Sequence, residues 1–411
     1  MAHCRFCNAP LTETFADLGM SPVSNDYVSE RNHNAAEVFY PLHAYVCASC
    51  LLVQLVDYEK PDALFTDDYA YFSSYSSSWL EHARRYSLTV LEKERLGPDS
   101  MVVEVASNDG YLLKNFKEAG IPVLGVEPTA NTAAAALQNH GIESEVAFFG
   151  RETAERLRER GVRPDVIAAN NVLAHVPDIN DFVAGYAILL KPKGVAHFEF
   201  PHLLRMMEKV QFDTIYHEHF SYLSFTVARK IFAAHGLRVY DVEELPTHGG
   251  SIRIYVAHAD CVDRPDTDRV AMMLAAEDDF GLNDLSAYRD FARRVVETKV
   301  SLLKFFVEAF EAGKSVVGYG APAKGNTLLN YCGVKTDMMS FTVDKSPHKI
   351  GKRLPGTHIP ICAPEEIRSR KPDYVLILPW NLREEIIEQM ADVREWGGKF
   401  VTPIPTIQIF D

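Results

Sequence analysis

The sequence predicts an α/β protein in three parts, with a doubly wound, mostly parallel sheet at its centre. Three observations carry this reading. Met101–Ala106 is a β-branched apolar run that opens into a short polar turn; Lys314–Gly320 is a second strand running into a glycine turn; two C-x-x-C pairs lie ahead of both. At 411 residues the chain exceeds what one hydrophobic core serves. The expected parts are a metal-binding module over residues 1–75, a central sheet domain over 76–280 and a second doubly wound domain over 281–411.

Composition narrows the function classes. Apolar content of 47% with 24% charged residues is ordinary for a globular protein. A net charge of -14 argues against a nucleic-acid partner, which calls for a basic face. The start, Met1-Ala2-His3-Cys4, is polar, and no apolar run approaches the ~20 residues of a membrane span. The expectation is a cytoplasmic protein with no membrane partner, whose seven cysteines act as thiols or ligands, not disulfides.

Four of those cysteines form the first module. Cys4 and Cys7, then Cys47 and Cys50, make two pairs whose two-residue gaps let both sulfurs reach one ion. Four thiolates leave no open position for water, so the expected Zn2+ is structural. It would fold a segment too poor in apolar residues to build a core alone. The competing reading, a redox pair, needs a helix opening after a strand, and neither pair has one.

In the central domain the strand Met101–Ala106 carries Glu104 and is followed by Ser107-Asn108-Asp109-Gly110 and a helical stretch, Tyr111–Ala119. This is the first βα turn of a doubly wound sheet, whose ligands sit at the carboxyl ends of the strands. A second strand, Pro122–Val126, ends in Glu127, an acid placed to hold the two hydroxyls of a ribose. One glycine in the first turn is too few for the dinucleotide fingerprint. Glu104 and the polar turn instead resemble the first motif of class I S-adenosylmethionine (AdoMet) methyltransferases. A strand at Asp165–Ala169 opens into Asn170-Asn171-Val172-Leu173-Ala174-His175, the segment that flanks the sulfonium in those folds.

Tyr216-His217-Glu218-His219 then sets four proton-handling side chains in a row. Methyl transfer to oxygen or nitrogen needs at most one base, so the row suits a proton that is hard to remove, such as a C–H beside a carbonyl. A satisfied domain surface is the plain alternative. A metal site is disfavoured, because the two histidines lack i, i+4 spacing.

Taken together, the motifs resemble nucleotide-sugar C-methyltransferases of deoxysugar pathways along nearly the whole chain. The resemblance rests on the front cysteine module, Tyr69-Ala70-Tyr71, Glu104–Gly110, Tyr216–His219, His248-Gly249-Gly250-Ser251-Ile252-Arg253 and Gly318–Gly325. It implies a class I AdoMet methyltransferase sheet, a small N-terminal zinc module and a C-terminal Rossmann-like α/β domain closing the substrate cleft. It also implies methylation of a ring carbon next to the ketone of a nucleoside-diphosphate 4-keto-6-deoxysugar, at C-3′. By the resemblance His219 stands in the position of the general base, with Tyr216, Glu218 and His175 lining the same site. On the chemistry, Glu218 is expected to fix the His219 tautomer, with Tyr216 or His175 donating to the enolate oxygen. His217 is left with a structural role.

The third part begins with a helix over Ser286–Gly313, read as a packing element between domains. The turn after Lys314–Gly320 offers backbone N–H groups to a diphosphate, with Lys324 adding charge and Asp344 closing the next strand. His248, Ser251 and Arg253 are candidate substrate contacts, Arg253 as a phosphate or keto clamp. Tyr69 and Tyr71 are candidates for a lid over the sugar. An O- or N-methyltransferase on a nucleotide-linked sugar and a non-catalytic zinc-bearing binding module remain the alternatives.

Overall fold

The computed structural model describes residues 2–58 and 73–411, and Tyr69 and Tyr71 lie outside them. Strands β1 (Glu13–Ser21), β2 (Tyr40–Val46) and β3 (Val53–Leu55) form an antiparallel sheet. Its fourth strand comes from far along the chain.

The central domain opens with helix α1 (Ser77–Lys93). Strands β4 (Val102–Val105), β5 (Val123–Val126), β6 (Ser144–Glu145), β7 (Val166–Asn170) and β8 (Val195–Pro201) follow, with helices α2 (Leu113–Glu118), α3 (Ala130–His140), α4 (Arg151–Glu159) and α5 (Ile179–Leu189) between them. These five strands are mutually parallel, and the inner ones, β4, β7 and β8, are buried on both faces, which is why they read as apolar runs. After α6 (Leu203–Glu208) the two-residue β9 (Ser221–Tyr222) leaves the central domain and pairs with β3, completing the N-terminal sheet. Helix α7 (Phe225–Ala234) and strands β10 (Leu237–Leu245) and β11 (Ser251–His258) finish the central sheet in the order β10-β11-β8-β7-β4-β5-β6. Strand β11 runs antiparallel to both neighbours.

Helix α8 (Asp268–Phe280) leads to the 27-residue α9 (Leu285–Glu311), which ends at the left-handed Gly313. The buried face of α9 packs on β1, where the Phe15 and Phe291 rings stack 4.5 Å apart. The C-terminal sheet holds β12 (Val316–Tyr319), β13 (Thr342–Val343), β14 (Ile361–Cys362), β15 (Tyr374–Ile377), β16 (Lys399–Thr402) and β17 (Gln408–Phe410), ordered β14-β13-β12-β15-β16-β17. All its pairs are parallel except β16–β17. Helix α10 (Ala323–Cys332) joins β12 to β13. No helix among the described residues is long and apolar enough to cross a membrane.

Candidate active site

The four cysteine sulfurs converge. Cys4 Sγ lies 3.6 Å from Cys50 Sγ and Cys7 Sγ 3.5 Å from Cys47 Sγ, and all four lie within 4.8 Å of one another. Tetrahedral thiolates at a Zn–S distance of about 2.3 Å stand about 3.8 Å apart, so the set fits a zinc ion. Each pair folds the same way: Asn8 N–H donates to the Cys4 carbonyl and Leu51 N–H to the Cys47 carbonyl. Asn8 and Leu51 both take positive φ, 61° and 70°. Among the described residues no other group of three or more His, Cys, Asp and Glu converges, so His217 and His219 belong to no metal cluster. His217 leans instead on the N-terminal sheet, edge-on to Tyr40, its Nε2 3.3 Å from the Pro41 carbonyl.

The first knuckle docks directly onto the central domain. Arg5 donates to the Pro177 carbonyl at 2.6 Å, and Asn180 Nδ2 donates to the carbonyls of Arg5 and Phe6. The docked loop follows His175, and β9 follows His219. The zinc module therefore braces both segments that carry the site histidines.

At the carboxyl edge of β4 the chain turns with Ala106 at φ 55° and Asn108 at φ 49°. Left-handed backbone at non-glycine residues costs energy and clusters at functional sites. It explains how a turn with a single glycine adopts the bend that a glycine-rich turn reaches freely. Glu104 is buried and its carboxyl is pushed well above the usual range by burial. Tyr111 approaches it, yet leaves both oxygens without a well-formed partner. Ser107 Oγ, Asp109 Oδ1, Asn170 Oδ1 and Asn171 Oδ1 are buried and meet no hydrogen-bond partner among the described residues. Glu127 accepts the Asn108 N–H at 2.8 Å and the Thr129 N–H at 3.0 Å. The edge is thus rich in oxygen acceptors lacking donors. An AdoMet molecule, with one ammonium and two ribose hydroxyls, supplies donors of that kind. The backbone of Ser73 and Ser74 closes over the turn, donating to Asn108 Oδ1 at 2.9 Å and Asp109 Oδ2 at 3.1 Å.

Across the cleft, His219 is held at both ring nitrogens. Nδ1 lies 2.8 Å from the Thr214 carbonyl, which only accepts, so the neutral ring carries its proton there. Nε2 is then an acceptor, and the Tyr216 hydroxyl donates to it at 2.7 Å. Burial holds the imidazole well below its ordinary pKa, with His175 and Lys324 adding to the effect, so the ring is neutral at physiological pH. The residue nonetheless remains partly accessible. The His175 ring stands edge-on to it, 4.6 Å between centroids, its own pKa brought down to about 4 by burial.

Glu218 does not orient His219. Its carboxylate turns away and accepts from Asn25 Nδ2 at 2.7 Å, while the Thr214 carbonyl does the orienting. Adjacent residues in an irregular segment point to different sides, and the sequence carries no sign of which side. Burial raises the Glu218 pKa.

Arg253 and Ser251 also depart from expectation. Strand β11 lies between β8 and β10, so its side chains enter the layers covering the sheet. Arg253 is 5% exposed; it donates to Glu199 at 2.5 Å and to Glu243 at 2.8 Å and lies over the Tyr86 ring. Ser251 is buried and donates to the Thr247 carbonyl at 3.0 Å. Neither is free to clamp a phosphate. His248 is exposed, at φ 54°, edge-on to Trp79.

Lys324 stands at the first turn of α10, where the C-terminal domain meets the cleft. Its Nζ donates to Asn381 Oδ1 at 2.7 Å and lies 4.5 Å from the Trp380 ring. It is near enough to His219, His248 and Asp213 to act on the charge of each. Asp213 is a residue that motif reasoning missed: it is fully buried, accepts the Trp380 indole N–H at 2.7 Å, and burial pushes its carboxyl up to about 6. Asn326 donates to the Ser24 carbonyl, Thr327 to the Ile215 carbonyl, and Tyr27 to the Ala321 carbonyl, tying the C-terminal turn to the other two parts.

The acceptor-rich carboxyl edge of the central sheet and the neutral His219 imidazole beside His175 are parts that suit an AdoMet-dependent methyltransferase. Three family models match the chain in turn: a zinc binding domain over residues 4–65, a methyltransferase domain over 79–242 and a C-methyltransferase C-terminal domain over 246–405. The C-methyltransferase NovU of Streptomyces niveus is 36% identical over 402 residues, 98% of this chain and 95% of its own length. The chain belongs to this C-methyltransferase family. A ubiquinone biosynthesis O-methyltransferase of Rhodopseudomonas palustris is 29% identical over 94 residues, 23% of this chain and 37% of its own. Among solved structures, an S-adenosylmethionine-dependent methyltransferase of Clostridium acetobutylicum covers 48% of this chain and 95% of its own, at 13% identity and a TM-score of 0.36.

Proposed function

We propose that the enzyme methylates the carbon next to the ketone of a nucleoside-diphosphate 4-keto-6-deoxysugar, at C-3′, with His219 as the general base. The observation that carries this is the pairing of the His219 ring: Nδ1 lies against the Thr214 carbonyl, which assigns its proton there and leaves Nε2 basic, with the Tyr216 hydroxyl as its partner. An imidazole removes a proton α to a ketone only if the developing enolate oxygen meets positioned donors. Tyr216 and Lys324 stand beside the base for that purpose, while His175, a neutral ring, packs against it. Nε2 has one lone pair, so the Tyr216 hydroxyl must first turn its donor from Nε2 to the ketone oxygen, and the lone pair it frees then takes the C–H proton. The Thr214 carbonyl keeps the imidazolium in place.

AdoMet supplies the electrophilic methyl group, which the substrate carbon takes with its freed electron pair. Glu104, Ser107, Asn108, Asp109, Gly110, Asn170 and Asn171 would hold its amino-acid end and Glu127 its ribose, the acids serving as acceptors. The sugar nucleotide's diphosphate would lie at the first turn of α10, against Lys324, with His248 on the same wall. Asp213 and Trp380 position that lysine.

The test is mass spectrometry and NMR of reactions with AdoMet and a panel of dTDP- and GDP-linked 4-keto-6-deoxyhexoses. The expected product is one methyl group heavier, with the new group on the carbon beside the ketone. A methyl group found on oxygen or nitrogen, or no product from any member of the panel, overturns the proposal.

A further inference from the structure

Arg5 stands between the two cysteines of the first knuckle, yet its side chain turns inward, 8% exposed, and reaches toward both segments that carry the site histidines. One terminal nitrogen donates to the Pro177 carbonyl at 2.6 Å, two residues past His175. The other donates to the Leu55 carbonyl at 2.6 Å and to Asp57 at 2.8 Å. The Leu55 N–H in turn donates to the Phe220 carbonyl at 3.0 Å, and the guanidinium carbon lies 5.3 Å from the centre of the Phe220 ring. Phe220 follows His219 directly. A guanidinium is planar and its donors diverge in a rigid fork, so the carbonyls it holds are fixed relative to one another. Those carbonyls belong to the loop behind His175 and to β3, the strand with which β9 pairs.

The fork is itself anchored to the cysteine site. Gln54, 1% exposed, accepts the Arg5 backbone N–H at Oε1, 2.8 Å away, and its Nε2 donates to Cys4 Sγ at 3.1 Å. A backbone N–H can only donate, so it assigns the orientation of the amide and with it an N–H···S bond to the cysteine. In the β3–β9 ladder Gln54 lies opposite Ser221, two residues past His219. Partners of this kind orient a metal's ligands and strengthen their hold on it.

We propose that Arg5 is a positioning residue for methyl transfer. Tied through Gln54 to Cys4, it sets the His175 loop against the strand that follows His219, and so holds the two rings at their 4.6 Å spacing. The cysteine site thereby governs the geometry of the base as well as the folding of its own module. This role rests on His219 being the base, and ring positions can be read separately from turnover.

The test uses the full zinc-loaded chain with isotope-labelled histidine. Arg5→Gln, whose amide can meet one carbonyl and not both, is expected to keep its zinc, bind AdoMet as wild type does and shift the His175 and His219 ring signals in NMR. Its kcat should fall about 10–100-fold with the KM for the sugar nucleotide nearly unchanged. Arg5→Lys keeps the charge without the fork and should show the same split. Gln54→Glu retains the acceptor for the Arg5 N–H but has no donor for sulfur, and in competition with a chromogenic chelator it should hold zinc about 10–100-fold more weakly. Unmoved ring signals or a wild-type kcat in both Arg5 variants overturn the proposal, as does a fall in kcat no larger than the loss of zinc. Wild-type zinc affinity in Gln54→Glu removes the link to Cys4 and overturns it too. Wild-type turnover in His219→Asn would sink the base assignment alone, since the ring shifts in Arg5→Gln do not depend on it.

Discussion

Arg253 offers a sharp separation between a ligand contact and a buried structural ion. Replacing it with Met keeps the aliphatic volume but removes the guanidinium that holds Glu199, a side chain with 0% exposure. His82, 2.8 Å from Glu199, and the Thr247 hydroxyl, 2.9 Å away, remain as partners. Breaking a buried pair from one side costs about 3–5 kcal/mol, because the surviving charge is left uncompensated. For a domain of about 200 residues that corresponds to a fall in Tm of roughly 10 °C. Arg253→Met should show this shift in calorimetry, and the added Glu199→Gln should recover a large part of it by removing the stranded charge. The KM for the sugar nucleotide, measured below the new Tm, should stay close to wild type. An unchanged Tm with a many-fold higher KM would refute the reasoning and return Arg253 to the substrate.

Three further outcomes follow from the same geometry. Tyr216→Phe removes the donor to Nε2 and is expected to lower kcat by roughly 10–100-fold with little change in AdoMet affinity; a wild-type kcat would remove Tyr216 from the reaction. Stripping zinc with a chelator should release the knuckle that braces the His175 loop and β9, lowering Tm and abolishing turnover together, both restored by added zinc and by no other treatment. In pH profiles the sign is set by the depressed imidazole: since burial holds His219 well below 6.5, the neutral base persists as pH falls through that value, and kcat/KM loses activity only at lower pH. A limb at or above pH 6.5 would mean a solvated base.

The sequence made some elements legible and hid others for identifiable reasons. Parallel strands inside a sheet read as apolar runs, and so β4, β5 and β7 fall within a residue or two of their expected bounds. The cysteine pairs and the acids Glu104 and Glu127 were visible because spacing alone constrains them. The role of Thr214 was not, because it acts through a backbone carbonyl that every residue possesses. Arg253 looked like a ligand because two glycines precede it, but strand order, a long-range property, decides that it is buried. The pairing of β9 with β3 joins residues about 170 positions apart, beyond any local pattern. Asp213 stands in no motif at all; its meaning comes from Trp380 and Lys324, which the C-terminal domain brings to it.

The account rests on His219 as the group that takes a proton from carbon, and hydrogen–deuterium exchange measures that step without methyl transfer. In D2O, with the demethylated product of AdoMet bound, wild-type enzyme is expected to exchange the proton beside the ketone of its sugar nucleotide. His219→Asn should slow that exchange by about 10²–10⁴-fold while binding AdoMet as wild type does. Exchange in His219→Asn at the wild-type rate would contradict the account.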